Sequence, residues 1–264
     1  SEHNPKGTNS NTPASNSPLA DALWAALGTV EDPELRRPIT ELGMVERAQA
    51  VSEDDGGYVA DVKILLTIEG CPLKTTIEQD VRKAASTVEG ITRVQVEVGA
   101  MNADQRSALK SQLKPERTNP FTAPGSLTRV FAVVSGKGGV GKSSMTANLA
   151  AAFASRGLAV GIIDADVHGF SIPGLLGVHE APTRLDDLII PPAVDAPRER
   201  GQVRGGSPGG FVKVISIGMF LKGNQPVAWR GPMLHRALEQ FILDVHFGAL
   251  DILLLDLPPG TGDI

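Results

Sequence analysis

The sequence predicts an α/β protein in which a small α+β domain precedes a doubly wound, mostly parallel sheet. Three observations support this prediction. A glycine-rich segment at 135–144 lies between a short apolar run and a helical pattern. Two further apolar runs, at 159–163 and 252–255, each end directly before an aspartate. A proline-rich stretch at 114–127 separates these features from the alternating patterns before it, and its composition is typical of a linker.

The first half of the chain contains a tail and the small domain. Residues 1–18 are rich in Asn, Ser, Thr and Pro, and we predict a disordered tail because so few apolar residues cannot form a core. Residues 19–113 show both the helical and the strand periodicity. Helices are predicted at 19–27, 77–88 and 104–113, and strands at 58–68 and 94–98. These elements define the α+β domain.

The second domain, at 128–264, is predicted to alternate strands with helices. Strands are expected at 130–134, 159–166, 212–217 and 252–255, and helices at 145–156 and 234–242. The run 130–134 is apolar and rich in β-branched residues, as expected of a buried parallel strand. Met145, Leu149 and Phe153 recur every four residues, which predicts that they form the buried face of the following helix.

The glycine-rich segment fits the phosphate-binding pattern G-x-x-x-x-G-K-[ST] without a mismatch. Because this loop leads into a helix, its backbone N–H groups and the helix dipole can hold a polyphosphate. Lys142 and Ser143 can then reach the β- and γ-phosphates and a Mg²⁺ ion. The predicted nucleotide-binding residues are Gly136, Lys137, Gly138, Gly139, Val140, Gly141, Lys142, Ser143 and Ser144. The alternative is a glycine-rich turn that matches by chance, which the flanking strand and helix disfavour.

Three aspartates follow apolar strands of the second domain. Asp164 and Asp166 come after the run 159–163, and Asp256 follows the run 252–255. Ligands of open parallel sheets bind at the carboxyl ends of the strands, so these carboxylates are expected beside the phosphate loop. Asp256 is the expected partner of the Mg²⁺ shell. The alternatives are acidic caps of a solvated loop for the first two and an ordinary strand-end aspartate for Asp256.

Composition excludes several classes of function. The net charge of −5 argues against a nucleic-acid-binding surface, which is normally basic. No apolar run is long enough to span a membrane, so no membrane partner is expected. The single cysteine, Cys71, excludes an intrachain disulfide and is consistent with a reducing cytoplasm. Cys71 precedes a predicted helix, where a thiolate is stabilised, but a small buried hydrophobic residue is an equally good interpretation.

The phosphate loop resembles that of one particular superfamily. The segment KGGVGKS, with Lys137 directly after the first glycine, is similar to the deviant phosphate-loop ATPases. These include the nitrogenase iron protein, the septum-positioning and plasmid-partition (MinD/ParA-like) ATPases and the Mrp (ApbC) iron–sulfur cluster carriers. The segment DADVHGFSIPGLLG at 164–177 resembles the switch segment of the superfamily. DLPPGTGD at 256–263 and PVAWRGPM at 226–233 resemble the Mrp-type form most.

The resemblance implies catalytic roles for Lys137, Lys142 and Asp166. Lys137 would reach across a homodimer interface to the partner's nucleotide, and Asp166 would position the attacking water. The alternative for Lys137 is a solvated lysine on a loop. By the same resemblance, Mg²⁺ would be held, directly or through water, by Ser143, Asp164 and Asp256.

The small domain has a resemblance of its own. It is similar to the SufT-like iron–sulfur assembly domain in the segments at 32–45, 65–73 and 91–98, which read DPELRRPITELGMV, LLTIEGCPL and ITRVQVEV. The resemblance implies that Asp32, Thr67 and Cys71 cluster together. It also implies that the cysteine is reactive and contacts iron or a cluster.

Together these resemblances identify the chain as an Mrp-type ATPase, which implies ATP, Mg²⁺, a homodimer and client apoproteins as its ligands and partners. Such carriers load [4Fe–4S] clusters with iron–sulfur assembly proteins and hold the cluster on a Cys-x-x-Cys pair. That pair is not in this sequence, so the ATPase domain is expected to continue beyond Ile264. Two alternatives remain. A positioning ATPase needs a basic amphipathic helix, and a non-enzymatic interaction protein would use the nucleotide only as a conformational ligand.

Overall fold

The structure is a computed structural model that describes residues 18–53, 56–68, 73–113, 119–121, 125–166, 169–196, 210–220 and 231–260. The chain divides into two compact units, 1–109 and 110–264. This division falls inside a helix, a few residues before the linker predicted at 114–127, most of which lies outside the described residues. No helix in the described ranges is long and apolar enough to cross a membrane.

The first unit contains a three-stranded sheet of mixed direction. Its strands are β1 (Val45–Ser52), β2 (Tyr58–Leu66) and β3 (Ile91–Ala100), and the helices are α1 (Pro18–Leu27), α2 (Lys74–Ser86) and α3 (Ala103–Leu113). The central strand β2 pairs antiparallel with β1 and parallel with β3. The parallel pair is joined through α2, as a crossover connection requires. Strand β1 was not among the predicted elements.

Strand β2 separates the apolar core of the first unit from a charged face. Ala60, Val62, Ile64 and Leu66 alternate along one face of β2, and all four are buried. Helices α1 and α2 bury Leu23, Leu27, Ile77, Val81 and Ala85. On the other face of β2, Asp61 accepts two hydrogen bonds from Arg47, at 2.8 and 2.9 Å. The period-two alternation predicted at 58–68 therefore describes a strand with one buried apolar face and a second face whose middle is charged.

The second unit is built on a five-stranded sheet. Its strands are β4 (Arg129–Val133), β5 (Ala159–Asp164), β8 (Ala193–Asp195), β9 (Phe211–Ser216) and β10 (Ile252–Asp256). They lie in the order β4-β10-β5-β9-β8, in which the first four are parallel and β8 is antiparallel. A separate hairpin pairs β6 (Thr183–Leu185) with β7 (Leu188–Ile190). The remaining elements are α4 (Lys142–Ser155), α5 (Ser171–Leu175), a 3₁₀ helix (Ile217–Phe220) and α6 (Gly231–Asp244).

Helices cover both faces of this sheet. On one face, small side chains of α4 pack against residues of β5, β9 and β10, among them Val160, Ile162, Val212 and Leu254. On the other face, Leu238 and Phe241 of α6 pack against Ile163, Ile215 and Leu253. A mostly parallel sheet with helices on both faces is the doubly wound α/β architecture, so the predicted fold class is confirmed.

Two packing predictions are wrong. Helix α4 buries Ala147, Ala150 and Ala154, whereas Met145 is 58% exposed and Leu149 36% exposed. Of the three predicted residues, Phe153 packs against this core and is partly buried. Small side chains let the helix backbone approach the sheet closely, so the other two large residues lie away from it. Strand β4 is not buried either, because it forms the edge of the sheet and most of its side chains are exposed.

Candidate functional site

The parallel register brings the ends of four strands together at one edge of the sheet. Asp256 at the end of β10 pairs with Val133 of β4 on one side and with Asp164 of β5 on the other. Asp164 in turn pairs with Ser216, the last residue of β9. Two carboxylates and a hydroxyl therefore lie in one row. The phosphate loop follows Val133, at one end of this row.

The glycine-rich loop turns from β4 into α4 through two glycines with positive φ. Gly139 has φ of 73° and Gly141, which caps α4, has φ of 86°. Side chains other than glycine are strained in this region of conformational space, so these positions require glycine. The loop borders an open cavity of about 300 Å³. Of the predicted nucleotide-binding residues, those that line it are Gly138, Gly139, Gly141, Lys142, Ser143 and Ser144.

Asp256 is the centre of the buried polar network beside this cavity. Its carboxylate is completely buried and accepts hydrogen bonds from Lys142 Nζ at 2.7 Å and from Ser143 Oγ at 2.6 Å, both at Oδ2. Thr146 Oγ1, one turn further along α4, donates to Oδ1 at 2.7 Å. A buried carboxylate with one cation and two hydroxyl donors is fully compensated.

Asp166 lies on the other side of Lys142. Its Oδ2 is 3.4 Å from Lys142 Nζ, and the residue lines the cavity with about a tenth of its surface exposed. Lys142 thus lies between two carboxylates, one fully buried and one facing the cavity. The three residues lie 24 and 90 positions apart along the chain, and only the parallel sheet brings them together.

Asp164 does not line the cavity, but it is bonded to Asp166, which does. It is completely buried, accepts a hydrogen bond from Ser216 Oγ at 3.0 Å and one from the backbone N–H of Asp166 at 3.2 Å. Its pKa is raised to about 7, mainly because burial disfavours the charged form. The two hydrogen bonds oppose this shift, and the nearby carboxylates of Asp256 and Asp166 add to it. The contacts of Asp164 hold the turn that carries Asp166.

The loop after β10 is fixed to the phosphate loop by backbone hydrogen bonds. Leu257 N–H donates to Val133 O at 3.2 Å, and Gly260 N–H donates to Ser135 O at 3.1 Å. Pro259 lines the cavity. The segment that begins DLPPG therefore forms one wall of the site.

Lys137 lies on the exposed outer side of the phosphate loop. Its carbonyl oxygen accepts a hydrogen bond from Ser135 Oγ at 3.1 Å, which fixes the backbone at this point. Val140 is half exposed, and Gly136 is exposed as well. These three residues flank the cavity.

The residues predicted as a site in the first unit are only partly described. Asp32 and Thr67 are both buried, and Asp32 Oδ1 accepts the backbone N–H groups of Glu34 at 2.9 Å and Leu35 at 2.8 Å. This arrangement stabilises a turn. Cys71 lies outside the described residues. In the part of the chain that is described, no group of three or more His, Cys, Asp or Glu side chains is arranged to hold a metal ion.

Sequence reasoning missed two hydroxyl residues of the site, Thr146 and Ser216. Thr146 is recognisable only by its position one turn after Lys142, which places it on the same side of α4. Ser216 ends an apolar strand, as Asp164 and Asp256 do. That shared position is a signal that could have been read from the sequence.

Comparison with known proteins identifies the class of the second unit. Residues 126–264 match the family model described as ParA, NUBPL iron-transfer P-loop NTPase. The chain belongs to this family. Residues 20–98 of this P-loop NTPase match a second family model, described as iron–sulfur cluster assembly protein. Both resemblances noted in the sequence are thereby confirmed.

Several curated relatives share most of the chain. The protein named iron–sulfur cluster carrier protein in Mycobacterium tuberculosis is 51% identical over 93% of this chain and 60% of its own length. Its namesake in Deinococcus radiodurans is 45% identical over 93% of this chain and 61% of its own length. This P-loop NTPase chain therefore spans about three fifths of the relatives that it matches.

One solved structure with a similar sequence is the nucleotide-binding protein of Archaeoglobus fulgidus in complex with ADP. It is 39% identical, with 51% of this chain and 46% of that chain covered, and the TM-score is 0.38.

Proposed function

We propose that the chain is the nucleotide-dependent part of an iron–sulfur cluster carrier that binds and hydrolyses ATP. The observation that carries this proposal is the convergence of Lys142, Ser143 and Asp166 on one cavity at the carboxyl edge of a parallel sheet. The buried Asp256 holds Lys142 and Ser143 from behind by hydrogen bonds. The names of the curated relatives support cluster transfer as the purpose of the nucleotide cycle.

Binding would rest on the phosphate loop and the first turn of α4. The N–H groups at a helix N-terminus favour an anion, and the glycines at 138, 139 and 141 let phosphate oxygens approach the backbone. Lys142 supplies the positive charge from inside the site. Its contacts with Asp256 and Asp166 hold the ammonium group in position before a phosphate is present.

The oxygen atoms of Ser143 and Asp256 are chemically suited to bind Mg²⁺. Ser143 Oγ and Asp256 Oδ2 are 2.6 Å apart, and both are the hard oxygen donors that Mg²⁺ prefers. A magnesium site in an NTPase uses one or two protein ligands together with phosphate oxygens, so it needs no cage of carboxylates. Bound Mg²⁺ would neutralise phosphate charge. We assign Ser143 and Asp256 as its protein ligands, with Asp164 as support beneath them.

Hydrolysis would depend on two further residues. Asp166 faces the cavity and can orient the attacking water by accepting its hydrogen bond. Lys137 is exposed on the outer side of the loop, where it is available to the nucleotide of a second subunit. Turnover should therefore be slow unless two subunits meet.

The iron–sulfur cluster would be cargo of the whole protein. The sequence contains one cysteine, Cys71, which is too few to hold a cluster on a single copy of this chain. We propose that cysteines elsewhere in the longer protein hold the cluster and that the first unit contacts assembly proteins or clients.

The test is a pair of lysine variants in the full-length protein. Lys142→Ala should abolish ATP binding and turnover, because the phosphates lose their buried cation. Lys137→Ala should leave binding within about twofold and lower turnover by at least about tenfold, since it acts in trans. Titration with a fluorescent ATP analogue and measurement of ADP release separate these effects.

Lys83→Ala is the matched control, since Lys83 is an exposed lysine of α2 that does not line the cavity. Wild-type activity in both site variants would contradict the proposal. ATP binding without any ADP release by the wild-type dimer would instead indicate a nucleotide that acts only as a conformational ligand.

A further inference from the structure

We infer that Ser216 is a positioning residue for the reaction, whose hydroxyl holds Asp166 in place through Asp164. The inference rests on the proposed function, because it concerns the same nucleotide site. Ser216 is the last residue of β9 and is completely buried. It does not line the cavity, so any effect on turnover must pass through its neighbours.

A continuous series of hydrogen bonds connects the 3₁₀ helix to Asp166. The backbone N–H of Gly218 donates to Ser216 Oγ at 3.2 Å, and Ser216 Oγ donates to Asp164 Oδ2 at 3.0 Å. The other carboxylate oxygen of Asp164 accepts the backbone N–H of Asp166 at 3.2 Å. Asp166 Oδ2 then lies 3.4 Å from Lys142 Nζ. The series therefore ends at the cavity.

A hydroxyl group is required at the middle of this series. A backbone N–H can only donate and an ionised carboxylate can only accept, so the residue between Gly218 and the ionised Asp164 must do both. An alanine at 216 would leave the N–H of Gly218 and Oδ2 of Asp164 without this partner in a buried position. Unsatisfied buried groups are costly, and the structure would relax by moving the Asp164 carboxylate.

The same segment contacts the loop after β5 at a second point. A Cβ atom added at Gly218 would lie 2.4 Å from Cγ of Phe170, so the 3₁₀ helix packs directly against this ring. Phe170 precedes α5 and stands between Gly169 and Ser171, which both line the cavity. The segment 216–218 thus fixes both described sides of the loop that carries Asp166.

From these contacts we expect substitution of Ser216 to lower the turnover rate and to leave the affinity for the nucleotide unchanged. The phosphate loop and the first turn of α4 make no hydrogen bond with Ser216, so nucleotide binding should be preserved. Asp166 would lose its orientation, and small displacements of an aligned catalytic group lower the rate strongly.

The experiment uses Ser216→Ala in the full-length protein, with Ser216→Thr as the conservative variant. The kcat of Ser216→Ala should fall about tenfold while KM stays within about twofold, because only orientation is lost. Ser216→Thr retains the hydroxyl and should recover most of the kcat. Ser155→Ala is the control, since its hydroxyl donates to Ala152 O at 2.9 Å at the far end of α4.

Gly218→Ala tests the same segment without removing a hydrogen bond. Its Cβ must displace Phe170, so kcat should fall again, and adding Phe170→Ala should recover part of it. Gly174→Ala is the control, because nothing lies within 4 Å of a Cβ there. If Ser216→Ala does not fold, the kcat values of Ser216→Thr and Gly218→Ala test whether this segment positions Asp166.

Unchanged kcat in both Ser216→Ala and Gly218→Ala would overturn the inference, and so would a rise in KM at constant kcat. A threonine variant as slow as the alanine variant would also overturn it. A wild-type protein that binds no nucleotide would contradict the proposed function itself, which distinguishes the two failures.

Discussion

Asp164 and Asp256 end neighbouring strands and are both completely buried, but different groups compensate their charges. Asp256 accepts from the Lys142 ammonium and from two hydroxyls. Asp164 accepts from one hydroxyl and one backbone N–H, and its pKa is raised to about 7 mainly because burial disfavours the charged form. In the sequence both aspartates directly follow an apolar strand. The difference between their environments could therefore not be predicted from the sequence.

Asp164 makes the stability of the second unit depend on pH. Its pKa of about 7 in the folded chain exceeds the value of about 3.9 expected in the unfolded chain. At pH values between these two pKa values, unfolding therefore releases a proton. The free energy of unfolding should therefore fall as the pH rises from about 4 to about 7. Asp164→Asn removes this dependence, and its stability relative to wild type should rise by on the order of 2 kcal/mol between pH 4.5 and pH 8.

Thermal melts of the two proteins across that pH range check this prediction. Glu180→Gln is the control, because Glu180 is an exposed carboxylate of the same unit. An Asp164→Asn variant whose stability runs parallel to wild type at every pH would contradict the raised pKa.

At the scale of elements, the strands and helices that carry the site could be predicted because their periodicities are strong. The sequence predicted β4, β5 and β10 with the loop and acids that follow them, and the structure has strands at these places. It gave no signal for β6, β7 and β8, because each has only three residues and too short a pattern to recognise. The buried face of α4 was only partly predicted, since Met145 and Leu149 lie outward, Phe153 packs against the core, and alanines form most of the buried face.

The alanine face of α4 provides a test. Ala150 is completely buried against the sheet, whereas Leu149 is 36% exposed. Ala150→Leu should lower the free energy of unfolding by about 1–3 kcal/mol, because the added side chain has no room between helix and sheet. Leu149→Ala, the matched control on the next residue, should cost less than about 1 kcal/mol. Urea denaturation measures both, and the reverse order of effects would contradict this packing.

At the scale of the whole molecule, β4 forms an exposed edge of the main sheet within the described residues. β4 pairs with β10 on one side only, and Val130 and Phe131, which point to opposite faces, are 45% and 47% exposed. The chain spans about three fifths of its curated relatives. A sequence pattern shows that a strand is apolar, but it cannot show whether residues in the same polypeptide cover it. This explains why β4 was predicted to be buried.

An exposed apolar edge strand favours association between copies. We expect this chain, produced alone, to self-associate at high concentration, and Phe131→Glu to reduce that association by placing a charge on the edge. Leu127→Glu is the control, because Leu127 is 90% exposed but precedes the strand. Light scattering against concentration measures the effect. Equal association of the wild type and Phe131→Glu in this measurement would contradict the role of this edge.

The contacts of Asp256 have one further consequence. Its Oδ2 atom is shared by Lys142 and Ser143. If the phosphates of the proposed nucleotide drew the ammonium group away, the buried carboxylate would need another cation, and the seryl oxygen beside it would offer that ion a second ligand. The binding of the triphosphate and of the divalent ion would then be thermodynamically coupled, so that each increases the affinity of the protein for the other by the same factor.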